Sequence, residues 1–269
     1  MDSNLRPAAV AGSFYPGSAA VLSRDVRQML AQAPQAAALR VKAIIAPHAG
    51  YIYSGPIAAS VYAPLAALRA TVRRVVLLGP THRVAVDGLA LSSSTAFSTP
   101  LGVVPLDTQA MASIADLPQV VVSDAAHALE HSLEVQLPFL QTVLGDFSLV
   151  PLAVGRATAA EVAQVLERLW GGDETLIVIS SDLSHYLPYN EAQQSDTASA
   201  KQILALDPRL DHQHACGATP VNGLLLAARQ HGLQAHQIDL RNSGDTAGDK
   251  SRVVGYGAFS FTAGPGHDD

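Results

Sequence analysis

Thr175-Leu176-Ile177-Val178-Ile179-Ser180 is an unbroken apolar run, and Ser181-Asp182-Leu183-Ser184-His185 follows it at once. Continuous hydrophobicity over six residues marks a strand buried on both faces, because a half-buried strand would alternate. Two earlier runs repeat the arrangement. Residues 41–46 (VKAIIA) lead into Pro47-His48-Ala49-Gly50-Tyr51, and residues 74–79 (RVVLLG) lead into Pro80-Thr81-His82. Residues 147–154 and 253–261 read as further strands, the first made less secure by Pro151. Residues 89–94 and 102–106 flank Thr99-Pro100 and suggest a hairpin or an edge pair.

Helical patterns lie between these runs. They cover residues 18–33, with Pro34 as a stop, and residues 56–68, 130–144, 158–169, 191–206 and 221–231. Ala159, Val162, Val165, Leu166 and Leu169 show the three-and-four spacing of an amphipathic face. Alternation of strand and helix predicts an α/β fold, a central and mainly parallel sheet with helices on both faces. With no fixed-period repeat and no low-complexity linker, the chain reads as one domain over residues 1–269. Its ordered part is expected at about residues 6–262, with disorder after Ala263.

Composition excludes some functions. A formal charge of −6 and the lack of a Lys/Arg cluster argue against a nucleic-acid partner. No apolar stretch is long enough to cross a bilayer, and the start lacks a signal-peptide pattern. Cys216 is the one cysteine, so no internal disulfide forms, and a reduced thiol fits the cytoplasm.

Function is carried by where the polar residues fall. In parallel α/β sheets ligands bind beyond the C-terminal ends of strands. His48, His82, Asp182 and His185 all follow such ends, which predicts one shared polar, metal-binding pocket. Gly50 and Gly79 permit sharp turns and close backbone approach there. Asp182 also suits a helix cap, and Ser184 suits it better still. His127 and His131 share the four-residue spacing of one helix face, as do Glu130 and Glu134. The two glutamates read either as first-turn acids favoured by the helix dipole or as carboxylates orienting histidines. In an extended segment His212, His214 and Cys216 would point to one side, although a lone cysteine is more often a small buried hydrophobe.

Several stretches together resemble the Memo family. These are Ala8-Ala9-Val10-Ala11-Gly12-Ser13-Phe14-Tyr15-Pro16, Ile45-Ala46-Pro47-His48-Ala49-Gly50-Tyr51, and Leu78-Gly79-Pro80-Thr81-His82. Glu130-His131-Ser132-Leu133-Glu134, Ser180-Ser181-Asp182-Leu183-Ser184-His185 and Cys216-Gly217-(x)2-Pro220 complete the order. The resemblance spans about residues 6 to 262. It implies a LigB-like fold, that of the class III extradiol dioxygenases, which cleave catechol rings with non-heme Fe(II). By family position it implies His48, His82 and Cys216 as metal ligands, with Asp182 and His185 lining the same pocket. His185 would then be the acid–base group, since an imidazole titrates near neutrality. Asp182 would orient a histidine or hold water.

Fe(II) is the cofactor the resemblance implies, with copper as an alternative; zinc-bound water is the basis of a separate hydrolase reading. A thiolate in place of the usual carboxylate departs from the ring-cleaving enzymes and places catechol cleavage in doubt. The alternative is a non-catalytic binding or signalling-type protein whose pocket holds a peptide, a modified residue or a metal for transfer; the partner expected overall is a small molecule or a peptide. Family association also suggests an AMMECR1-type protein and a radical-SAM protein as partners.

Overall fold

The computed structural model describes residues 4–34 and 40–264. Most of the residues after Ala263 expected to be disordered, 265–269, lie outside this range. The strands are β1 (Leu5–Arg6), β2 (Val41–Ala46), β3 (Arg74–Pro80), β4 (Leu89–Leu91), β5 (Ala96–Thr99), β6 (Gly102–Pro105) and β7 (Val120–Val122). They continue with β8 (Ser148–Val154), β9 (Thr175–Ser180), β10 (His185–Leu187), β11 (Leu233–Asn242) and β12 (Val253–Ala263). The helices are α1 (Ala19–Gln32), α2 (Tyr51–Tyr62), α3 (Thr108–Ala112), α4 (Asp124–Ala128), α5 (Leu137–Val143), α6 (Ala159–Leu169), α7 (Tyr189–Leu204) and α8 (Ala218–Gln230).

One large sheet runs β10-β12-β2-β9-β3-β8-β4-β7, with β11 also bonded to β12. Its centre, β2-β9-β3-β8, is parallel throughout. Both flanks begin with an antiparallel pair, β12 on β2 and β4 on β8. The parallel expectation therefore describes the four central strands, and the whole sheet is mixed. Every residue of β9 is buried, as its apolar run requires, because helices cover both faces. Helices α1, α2 and α5 pack together, while α6 and α8 form a second pair in which α8 lies on β3 and β9. The amphipathic reading of α6 is borne out by burial of Val162, Val165, Leu166 and Leu169. A separate small sheet, β1-β5-β6, joins the start of the chain to a hairpin. Among the described residues no helix is long and apolar enough to cross a membrane.

Some elements differ from their sequence patterns. Pro151 lies within β8, opposite Leu77 of β3. The Leu149 carbonyl on the same side of the strand faces away from β3, toward the Asp107 amide. Pro151 has that parity and lies beyond the reach of β4, whose register covers only Ala153 and Val154, so the missing N–H breaks no ladder bond. The hairpin turns at Thr99–Gly102 as expected, but its first arm is β5; residues 89–91 belong to the large sheet. Helix α2 begins at Tyr51, with Pro56 inside it. The amide bond lost at Pro56 would have gone to the carbonyl of Ile52, a solvent-exposed residue.

The expected helix over residues 130–144 is shorter. Pro138 stands in its first turn, where proline is tolerated, so α5 starts at Leu137 and residues 130–133 form a turn. Ser184 caps no helix: β10 follows it, and its amide donates to the Asp196 carboxylate at 3.0 Å.

Candidate metal centre

The order β2-β9-β3 sets three parallel strand ends side by side, with Ala46 level with Ser180 and Leu78 level with Ile179. His48, Asp182 and His82 each follow within two residues of a strand end, so all three emerge on one rim. A fourth piece of chain closes this rim. The turn carrying Glu130, His131 and Ser132 presses on Gly79, where an added Cβ would come within 2.8 Å of the Ser132 Oγ. Ser132 Oγ donates to the Pro80 carbonyl at 2.9 Å, which fastens that turn to the end of β3.

His48, His82 and His131 meet at this corner. One ligand atom from each lies within 4.8 Å of the other two, and no other three-donor group of this kind occurs among the described residues. The ring centroids are 5.2 Å apart for His48–His82, 5.4 Å for His48–His131 and 4.6 Å for His82–His131. His48 is buried, His131 half-buried and His82 open to solvent, which leaves an entry path.

The surrounding hydrogen bonds set two of the tautomers. Ser180 Oγ donates its only proton to the Ser132 carbonyl at 2.6 Å and accepts from the Gln136 side-chain amide at 2.8 Å. Its contact with His48 Nδ1 at 2.9 Å must therefore be a donation from the ring, leaving His48 Nε2 with a free lone pair. Glu130 acts in the same way on His82. Its carboxylate accepts from the His82 ring Nδ1 at 2.9 Å and from the His82 amide at 2.6 Å, so His82 also offers Nε2. Burial raises the Glu130 carboxyl, but the bonds from His82 and Ser132 outweigh it and bring its pKa down to about 2. Burial lowers His131 to about 4, and burial followed by its neighbours His82 and His131 holds His48 well below the usual imidazole value. His48 and His131 are thus held as neutral imidazoles, the form that ligates a metal.

Asp182 and Cys216 adjoin this corner at His48. Asp182 accepts from the His48 amide at 2.7 Å, and its other oxygen is 4.0 Å from His48 Nε2. Burial pushes its pKa up to about 7. Cys216 Sγ lies 3.2 Å from His48 Nε2 and accepts from the Asp182 amide at 3.3 Å. Burial pushes the thiol up to about 12, so it carries its proton and can donate it to His48 Nε2. Cys216 also lines a cleft of about 450 Å³ with Thr81, Val154, Arg156, His212 and Thr219. His185 donates from Nδ1 to the Leu183 carbonyl at 2.8 Å, which leaves its Nε2 an acceptor; burial lowers its pKa.

Contacts to His48 thus bring His82, Asp182 and Cys216 together, and His185 follows at the start of β10, but the tight cluster of three takes His131 rather than Cys216. The four-residue spacing predicts His131 as half of a helix pair with His127, whereas in the structure His131 lies in a turn. The informative signal was its position beside Glu130, the residue that bonds His82. His127 is buried elsewhere, in α4, with its Nε2 donating to the Ala90 carbonyl at 2.9 Å. The two glutamates do not act as a pair. Glu134 accepts from Ala9 and Val10 amides at 2.7 and 3.0 Å, from the Tyr15 hydroxyl at 2.5 Å and from the buried Arg6 guanidinium. It anchors the start of the chain. His214 is exposed and bonded to Asp211, and His212 bonds Thr219.

A family model described as Memo-like protein matches residues 6–260. A MEMO1 family protein of Ignicoccus hospitalis is 37% identical, over 96% of this chain and 98% of that one. One from Aquifex aeolicus is also 37% identical, over 96% and 99% of the two chains. An uncharacterized protein of Escherichia coli K12 has a solved structure that superposes with a TM-score of 0.50 at 16% identity, covering 80% of this chain and 99% of that one. That last likeness concerns the fold alone.

Proposed function

Since the chain belongs to the Memo-like protein family, we propose that its strand-end corner is a metal centre, used for redox chemistry on a small organic substrate in the manner of LigB-like dioxygenases. The observation that carries this reading is the convergence of His48, His82 and His131, two of them with Nε2 freed by Ser180 and Glu130. Imidazoles suit iron, copper and zinc alike. The nearby Asp182 carboxylate adds an oxygen donor that favours Fe(II) among them. An Fe(II) ion held there would supply Lewis acidity and one-electron chemistry with dioxygen.

The residues of the chain have distinct parts in this reading. His48 and His82 would hold the ion, with His131 completing the set. Cys216 Sγ, 3.2 Å from His48 Nε2, lies on the side of that ring that would face the ion, and a bound cation would favour its thiolate. Asp182 takes the His48 amide, which orients that loop, and with its own pKa near 7 it can hold or release a proton. His185, with Nε2 unprotonated, is the base that would accept a proton from a substrate hydroxyl. Anaerobic loading with Fe(II), followed by oxygen uptake with a panel of catechols, tests the activity. Uptake that depends on metal and falls in His185→Ala supports it; a metal-loaded protein that consumes no oxygen with any of them counts against it.

A further inference from the structure

Tyr186 has a backbone φ of 59°, a left-handed conformation that a bulky aromatic residue rarely adopts. It sits at an irregularity in β10, where the register on β12 shifts between His185 and Leu187. Such bulges bend a strand and re-aim its side chains, and they gather next to active sites. Here the bulge sends Tyr186 outward, and its side chain remains 62% exposed. The fold gains little from this ring. Glycine or asparagine would adopt the same backbone at lower cost. An exposed aromatic on strained backbone, at the edge of a proposed metal pocket, points to use by a ligand.

Its neighbours specify the ligand. The His185 ring stands edge-on to Tyr186, with centroids 5.8 Å apart. The Arg252 guanidinium lies over the ring of Tyr186 at 5.0 Å, and no ion pair joins it among the described residues. A planar ring can stack on the open face of Tyr186, and a free guanidinium recognises a carboxylate with paired N–H donors.

We infer that Tyr186 and Arg252 form an outer subsite of this pocket that receives the carboxylate of an aromatic acid. The inference rests on the proposed function for which end of the ligand faces the histidines, but the subsite itself needs no metal.

The test uses the full chain without added metal, with benzoate as the probe and benzyl alcohol as the neutral control, followed by backbone amide shifts in NMR. Benzoate is expected to shift the amides of Tyr186, Leu187 and Arg252 saturably, and benzyl alcohol to bind at least tenfold more weakly. Arg252→Gln should remove that preference. Tyr186→Gly should lose benzoate binding while its melting temperature stays level or rises, because strain is relieved and little packing is lost; Tyr186→Phe should bind as before. Benzoate binding unchanged in Tyr186→Gly, or no shift at these amides in the unaltered protein, would overturn the inference. Absence of iron binding would leave these results as they are and bear on the metal reading alone.

Discussion

Single side chains at this corner are held by other side chains. Glu130 holds the His82 ring and, through backbone amides, the turn that carries His131. Orienting carboxylates of this kind commonly contribute about 10- to 100-fold in metal affinity. Glu130→Gln should therefore weaken metal binding by about that factor in a competition titration with a chromophoric chelator, with the fold retained; unchanged affinity would remove Glu130 from the site. Glu134 makes the opposite case. It meets the buried Arg6, so Glu134→Ala leaves a buried charge unpaired and should cost about 3–5 kcal/mol in chemical denaturation. A loss near zero would show that the ion pair does not anchor the start of the chain. From sequence these two glutamates looked equivalent, four apart on an assumed helix. Pro138 moved the helix start past both of them, and only then do their partners differ.

Among the secondary elements, the parts legible in the sequence are those whose burial is uniform. Strands β2, β3 and β9 are continuous apolar runs because they lie in the centre of a covered sheet. Strand β11 was missed because it lies at an edge and alternates irregularly between half-buried and exposed residues. Strand β10 was missed because its three residues carry a bulge and follow an Asp/Ser pattern that equally suits a helix cap. Helix α6 was legible from its apolar spacing, and the structure adds the cap. Thr158 and Glu161 form a reciprocal capping box at its start, with Glu161 N donating to Thr158 Oγ1 at 3.2 Å. Thr158→Ala should cost about 1 kcal/mol in thermal or urea unfolding, and a neutral result would mean that tertiary packing alone sets the start of that helix.

For the whole molecule, buried neutral imidazoles tie stability to pH. Burial lowers His127 to about 4, against an ordinary histidine near 6.5 in the unfolded chain. The unfolded state binds the proton first, so stability rises with pH across that window. His127 should contribute its full share above pH 6.5 and lose about 1.4 kcal/mol per pH unit as pH falls toward 4. Urea unfolding at pH 7.5 and 5.0 reads this, and His127→Gln should flatten the dependence by one proton. An unaltered slope in that variant would show that His127 is not the group responsible.

The claim on which the rest depends is that three imidazoles from separate parts of the chain hold one metal ion. The most direct measurement is metal stoichiometry and affinity after anaerobic Fe(II) loading, made on the unaltered protein and on His48→Ala, His82→Ala and His131→Ala. One ion per chain is expected in the unaltered protein, with a large loss of affinity in each variant, His131→Ala included. Binding at full strength without His131, or no stoichiometric binding by a folded protein, would contradict it.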